Sequence, residues 1–296
     1  MKSGKLRKPP RPRIVFFGTP VFGQIILKML LDAKLNVVAV VTQPDPSPVK
    51  ILAKDRKIPV LTPNNKQKLL ATHHKLATLK PKLFIVAFYE IIIPPEILEI
   101  PSKGALNVRP SLLPQHRGPS PIQTAILEGD SETGVTIVFM DEEMDHGPIL
   151  SQKTILIAPD ETTPTLTAKL AHLGGNLLME TIPKYLSGKI IPHPQNHERA
   201  TFTKPIKKKN GKASWARSNE RIERTIRAYK PWPGVWTTVG EMAEQLEQEL
   251  KTSKHKNLKL KLLAAHLENG VIALDLVQVG RKKPTGLTDF AKEYLK

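Results

Sequence analysis

Four polar residues in this chain have the types and spacing that acyl chemistry needs. Asn107 and Arg109 sit two apart in a short apolar run, G-A-L-N-V-R, from Gly104. Asp145 and His146 sit in an acidic loop, Asp141 to Gly147, behind another apolar run. An Asn amide can donate a hydrogen bond to the oxyanion that forms when an acyl group is attacked, and a carboxylate opposite it can orient a cationic partner. That is the minimum equipment for acyl transfer to a nucleophile without a covalent intermediate. The residues alone leave a second reading open, in which Asn and Asp only satisfy buried backbone groups. Metal binding has less support: His193 and His197 are four apart, but Pro192 and Pro194 disfavour a shared helical face.

The elements that must position these residues follow from apolar patterning. After the Asn107 run, two prolines leave Ser111-Leu112-Leu113-Pro114 as an apolar loop. Ser120, Pro121 and Gln123 then read as N-cap, first helical residue and capping-box partner of a helix. Strands are expected over 13–17, 36–42, 83–87, 134–140 and 149–157, and helices from Pro20 to about Leu31, over 65–79 and over 163–186. Strand, helix, strand at the spacing of the first elements predicts a right-handed crossover in a parallel sheet. The glycine pattern after the first strand, G-T-P-V-F-G, lacks both the dinucleotide fingerprint and a phosphate-loop lysine, so neither nicotinamide nor nucleoside triphosphates are supported. The last segment is built differently. It has a basic amphipathic helix over 219–228, an aromatic turn from Lys230 to Trp236, an acidic-faced helical insertion over 241–250, and strands over 258–267 and 271–277 around an Asn269-Gly270 hairpin signal.

Length and charge bound the class. A chain of 296 residues is long enough for two domains with ample core. No apolar run approaches the roughly 20 residues of a membrane helix, so no membrane association is expected. The chain has no cysteine, which excludes disulfides, thiol catalysis and cysteine-ligated metals and fits a reducing, cytoplasmic setting. The formal charge of +18 is segregated: residues 1–13 carry +6, residues 14–197 only +2, and residues 198–296 carry +10. That split suggests a polyanion held by one domain and worked on by another, against the alternative that lysine only aids solubility. The expected organisation is a basic disordered arm (1–13), a catalytic domain (14–190), a linker (191–212) and a C-terminal domain (213–296).

Several motifs carry a resemblance: F-F-G-T-P at Phe16, V-V-T-Q-P-D at Val40, P-S-L-L-P at Pro110, R-G-x-x-P-I-Q-x-A-I-L at Arg117, E-T-G-V-T-I at Glu132, M-D-x-x-x-D-x-G at Met140 and I-R-A-x-x-P-W-P-G at Ile226. Together they span nearly the whole chain, which resembles the methionyl-tRNA formyltransferases. The resemblance implies an α/β fold, with a Rossmann-like parallel-sheet formyltransferase domain followed by a small OB-like β-barrel that grips tRNA. It implies an enzyme that moves a formyl group from 10-formyltetrahydrofolate to the amino group of methionyl-initiator tRNA, acting as a monomer without metal. Carried over by position, the catalytic residues are Asn107 and Asp145, with Arg109 standing where the family has a histidine. The folate co-substrate falls to Ser111, Leu112, Leu113 and Pro114, with Phe88 and Tyr89. Lys207, Lys208, Lys209 and Lys212 are the expected tRNA contacts.

Three departures from the family pattern touch function. Arginine can donate to an oxyanion but has no acceptor, so Arg109 cannot take a proton as an imidazole does. Either His116 or His146 is near enough in sequence to substitute. After Asp45 the family's Gly-, Lys- and Arg-rich loop is missing, and Tyr89 is followed by Glu90 where the family has glycine. The rival readings are a catalytically silent tRNA- or RNA-binding homologue and a formyltransferase for another amine.

Overall fold

The structure, a computed structural model, describes residues 11–296. Most of the arm expected over 1–13 therefore lies outside the described residues; Arg13 already opens the first strand. The first elements are β1 (Arg13–Gly18), α1 (Pro20–Asp32), β2 (Asn36–Val41), α2 (Pro48–Asp55) and β3 (Val60–Leu61). They are followed by α3 (Lys66–Leu70), α4 (His73–Thr78), β4 (Leu83–Ala87), α5 (Pro95–Leu98) and β5 (Ala105–Arg109). The next group is α6 (Pro121–Glu128), β6 (Glu132–Phe139), β7 (Ile149–Leu156) and α7 (Thr163–Leu186). The chain ends with α8 (Asn219–Ala228), β8 (Val235–Thr238), α9 (Val239–Gln245), β9 (Lys259–Glu268), β10 (Val271–Val279) and α10 (Leu287–Tyr294).

Seven strands form one sheet in the order β3-β2-β1-β4-β5-β6-β7. The pairs β3·β2, β2·β1, β1·β4 and β4·β5 are parallel, whereas β5·β6 is antiparallel. β4 is buried along its whole length and β1 beyond its first residue, which is why both are continuous apolar runs rather than alternating ones. Val15, Phe17, Phe84, Val86, Leu69 and Leu76 share one core cluster, with the Phe17 and Phe84 rings 4.9 Å apart. Each such side chain contributes about 1.5–3 kcal/mol by leaving water.

Two local expectations change. The helix expected over 65–79 is two short helices, because Thr72 turns its hydroxyl to the Leu69 carbonyl (2.6 Å) and ends the first. Ser120 is the N-cap of α6 and Pro121 its first residue, but Ser120 makes no side-chain cap. The capping box with Gln123 is absent; the Ser120 amide donates to Thr203 Oγ1 instead, at 3.0 Å.

The chain falls into two compact units. Of the described residues, one holds 11–117, 134–154 and 167–201; the other holds 118–133, 155–166 and 202–296. Within the second, α6 packs on α8, with Arg221 donating to the Leu127 carbonyl and pairing with Glu128 at 3.2 Å. Its sheet is small and antiparallel, in the order β10-β9-β8. Asn269 and Gly270 both take positive φ (51° and 79°), the backbone that a two-residue hairpin turn demands. Among the described residues no helix is long and apolar enough to cross a membrane.

Candidate active site

The order of the sheet reverses between β1 and β4, and ligands of open α/β sheets bind beyond the carboxyl ends of strands at such a switch. Thr19, just past β1, donates its hydroxyl to the Phe88 carbonyl just past β4. Val86 and Asn107 are in register on β4 and β5, so Phe88 and Tyr89 leave the sheet at the end where Arg109 stands. Phe88 has φ 56°, an uncommon backbone for a bulky residue. Its ring lies 5.8 Å from Phe22. Tyr89 packs edge-on to Phe17 at 5.5 Å, its hydroxyl is buried without a protein partner, and burial pushes its pKa above the usual range.

Asn107 and Arg109 share one face of β5, since alternate residues of a strand point the same way. Asn107 is half-buried. Arg109 is buried, and its guanidinium lies 3.1 Å from Asp145 Oδ2; the two side chains are 10% and 5% exposed. The same guanidinium nitrogen donates to the His116 carbonyl at 2.8 Å. Burial pushes the Arg109 pKa down and Asp145 pushes it back up. The group therefore acts as a cation and a donor, never as a base. Asp145 reaches it because the loop after β6 doubles back tightly. A Cβ added at Gly147 would sit 1.9 Å from the Phe139 carbonyl oxygen, so only glycine allows that approach.

The Ser111–Pro114 loop is held by residues the sequence did not single out. Thr136 on β6 donates its hydroxyl to the Ser111 carbonyl (2.7 Å) and accepts from the Leu113 amide (3.0 Å). Gln152 on β7 donates to the Leu113 carbonyl at 2.8 Å. Ser111 and Leu113 are buried, Leu112 and Pro114 half-buried, and Ser111 Oγ has no protein partner.

The two candidate substitutes for the missing imidazole are held differently. His116 points its carbonyl at Arg109 and its amide at Thr201 Oγ1, at φ 55°. His146 binds Asp141 through Nδ1 at 2.7 Å, and its ring stacks on His197 at 4.2 Å. His193 pairs by its backbone with Ile149. Among the described residues no group of three or more His, Asp or Glu is arranged to hold a metal ion.

The candidate tRNA lysines lie elsewhere in sequence and are all exposed. Lys207 precedes a single helical turn, Lys208–Gly211. Lys212 pairs with Glu241 at 3.0 Å, and its ammonium is 6.0 Å from the Trp236 ring. Lys259 lies over the same ring at 4.4 Å, and burial, then Lys208 and Lys261, push its pKa down. Trp232 is 56% exposed.

Comparison with known proteins gives the family. Residues 12–182 match the formyl transferase family and residues 205–295 the formyl transferase C-terminal domain. The methionyl-tRNA formyltransferase of Roseiflexus castenholzii (strain DSM 13941 / HLO8) is 40% identical over 299 residues, 95% of each chain. That of Myxococcus xanthus (strain DK1622) is 44% identical over 240 residues, covering 78% of this chain and 76% of the relative. Among solved structures, a methionyl-tRNA formyltransferase from Clostridium thermocellum shares the fold, with a TM-score of 0.60 and 19% identity over 92% of this chain and all of its own. So does an N-formyltransferase from Helicobacter canadensis solved with folinic acid and dTDP-3-aminofucose, with a TM-score of 0.65 and 18% identity over 92% and 96%. With both domains matched in order and 40% identity running across 95% of its length, this chain is a formyltransferase of the methionyl-tRNA formyltransferase family.

Proposed function

We propose that this protein transfers the formyl group of 10-formyltetrahydrofolate to the amino group of methionyl-initiator tRNA, at a turnover lowered by Arg109. The observation that carries this reading is geometric. β5 presents Asn107 and Arg109 on one face, and Asp145 reaches Arg109 from a separate loop at 3.1 Å. As the amine attacks the formyl carbon, negative charge develops on the formyl oxygen. The Asn107 amide and the Arg109 guanidinium supply donors for it. The addition intermediate collapses by breaking the bond between N10 and the formyl carbon, and tetrahydrofolate leaves; the proton lost by the amine is taken up at N10 by way of water, because arginine cannot accept it and the Asp145 carboxylate is already paired. Losing acid–base help costs about 10²–10⁴ in rate.

The residues present fit a flat, polar co-substrate at this place. The buried Ser111 and Tyr89 hydroxyls have no protein partner, and such groups cost about 1–3 kcal/mol each until something satisfies them. Phe88 and Leu112 supply half-buried apolar surface beside them. Residues 14–190 carry the transfer, 191–212 link, and tRNA is held by 213–296 together with Lys207, Lys208, Lys209 and Lys212 at the end of the link. The protein works as a cytoplasmic monomer.

The Arg109–Asp145 pair also favours a second reading, a silent tRNA-binding protein whose catalytic carboxylate is occupied for good. Formylation of methionyl-tRNA by the native protein and by Arg109→His, run side by side, separates the two. Slow native transfer that rises in the variant supports the first reading. No transfer by the native protein, with tRNA still bound, supports the second.

A further inference from the structure

The segment after α7 is rich in proline and reads as a plain connection, yet it contains a buried amide. Gln195 is only 6% exposed. Its Nε2 donates to two carbonyl oxygens of the catalytic loop, Asp145 at 2.9 Å and Gly147 at 2.7 Å. Its Oε1 accepts from Arg117 at 2.6 Å, and Arg117 is itself 4% exposed. The same Arg117 nitrogen lies 2.9 Å from His197 Nδ1. A guanidinium only donates, so that Nδ1 carries no proton and accepts. The His197 ring then lies flat on His146, at 4.2 Å and 11° between planes, and His146 is bound to Asp141. Arg117, Gln195, His197, His146 and Asp141 thus form one connected network along the Asp145 loop, and both Gln195 amide hydrogens are used.

We propose that Gln195 is a positioning residue: it straps the Asp145 loop so that the Asp145 carboxylate arrives where β5 presents Asn107 and Arg109. The two carbonyls it holds bracket His146, at the left-handed turn of Asp145 (φ 56°). The strap adds to the tight glycine approach at Gly147 and keeps the register of that turn. Arg117 orients the strap, since an amide that accepts from a guanidinium must turn its donors the other way. This rests on the reading above that Asp145 belongs to the catalytic trio, where its carboxylate orients the side chain at position 109, and the strap itself is readable without that chemistry.

The test uses the full chain with Gln195→Ala and Gln195→Glu, each in the native and the Arg109→His background. Glu keeps the acceptor for Arg117 and loses both donors. Amide hydrogen exchange is followed at 144–147, with β4 as the internal reference for global stability. Both variants are expected to speed exchange across 144–147 by about tenfold or more while β4 is unchanged, as loss of both donor hydrogen bonds implies. In the Arg109→His background kcat should fall by about 10²-fold, as misplacement of a catalytic group by about 1 Å does, with KM for methionyl-tRNA unchanged. Unchanged exchange at 144–147 in both variants overturns the strap. So does full recovery by Gln195→Glu, which would assign the whole effect to Arg117. Faster exchange with unchanged kcat leaves Gln195 a structural residue and overturns its role in positioning. If no background transfers formyl groups at all, the reaction assigned above fails, while the exchange measurement still reads the strap.

Discussion

Arg109 and Asp145 form a buried ion pair, 3.1 Å apart, at the position where the proposed transfer needs a proton acceptor. The two charges neutralise each other and hold the loop and strand together, and for the same reason neither is available as a base. Replacing Arg109 with histidine keeps a donor and adds an acceptor. Arg109→His is expected to raise the single-turnover rate of methionyl-tRNA formylation by about 10²–10⁴. An unchanged rate would show that this trio is not the catalytic one.

Breaking the pair on one side should cost more than removing both sides. Asp145→Ala leaves the buried Arg109 guanidinium without its carboxylate and is expected to lower stability by about 3–5 kcal/mol. Arg109→Met combined with Asp145→Leu removes both charges and should recover most of that loss. Urea unfolding midpoints of the three proteins decide it; a double variant as unstable as the single one would contradict the argument.

Gly147→Ala probes the same loop through packing. Its Cβ would meet the Phe139 carbonyl oxygen at 1.9 Å, and a backbone atom cannot swing aside. Overpacking of this kind costs about 1–3 kcal/mol. Thermal unfolding should show that loss, and formylation in the Arg109→His background should fall with it. A variant as stable as its parent would mean that the loop has room to relax.

The exposed lysines make a prediction about salt. Every phosphate that a lysine ceases to neutralise lowers the slope of log K against log salt by about 0.7–0.9. Neutralising Lys207, Lys208 and Lys209 together is therefore expected to reduce the slope for tRNA by about 2–3 and to weaken binding. Titrations over a range of salt concentrations measure this. The same slope before and after would leave these lysines as solvated surface.

Glu241 gives a pH dependence with a definite sign. It accepts from Thr237 Oγ1 (2.8 Å) and the Thr238 amide (3.1 Å) at the start of α9, and pairs with Lys212. The Thr237 hydrogen bond first, then Lys212, hold its pKa down to about 2 from 4.5. A depressed carboxylate contributes stability above its unfolded pKa and loses it as pH falls towards the folded one. Glu241→Gln should therefore cost about 1 kcal/mol at neutral pH, a modest figure because the group faces water on one side. The gap to the native protein should close between about pH 4.5 and 2. A gap that stays constant through that window would place the effect elsewhere.

How far the sequence reaches can be seen residue by residue. The bounds of β4, α7 and α8 are legible because apolar runs and caps are local signals, and Asn269-Gly270 names its turn because few residues tolerate positive φ. Asn107, Arg109, Asp145 and the Ser111–Pro114 loop are legible as motifs. What the motifs lack is any partner distant in the chain. Thr136 and Gln152 on the Ser111 loop, and Gln195 and His197 at the Asp145 loop, meet their partners across tens of residues. Hydroxyls and amides at such positions carry no periodicity that marks them. Thr72 and Ser120 show the same limit locally, since each had more than one acceptor or donor within reach and the packed fold chose between them. The sequence by itself determined the family, the class of fold and the presence of an arginine where proton transfer is expected. Only the tertiary structure decided that this arginine is spent on Asp145, because an ion pair between a strand and a loop exists only once the backbone brings both to one buried place.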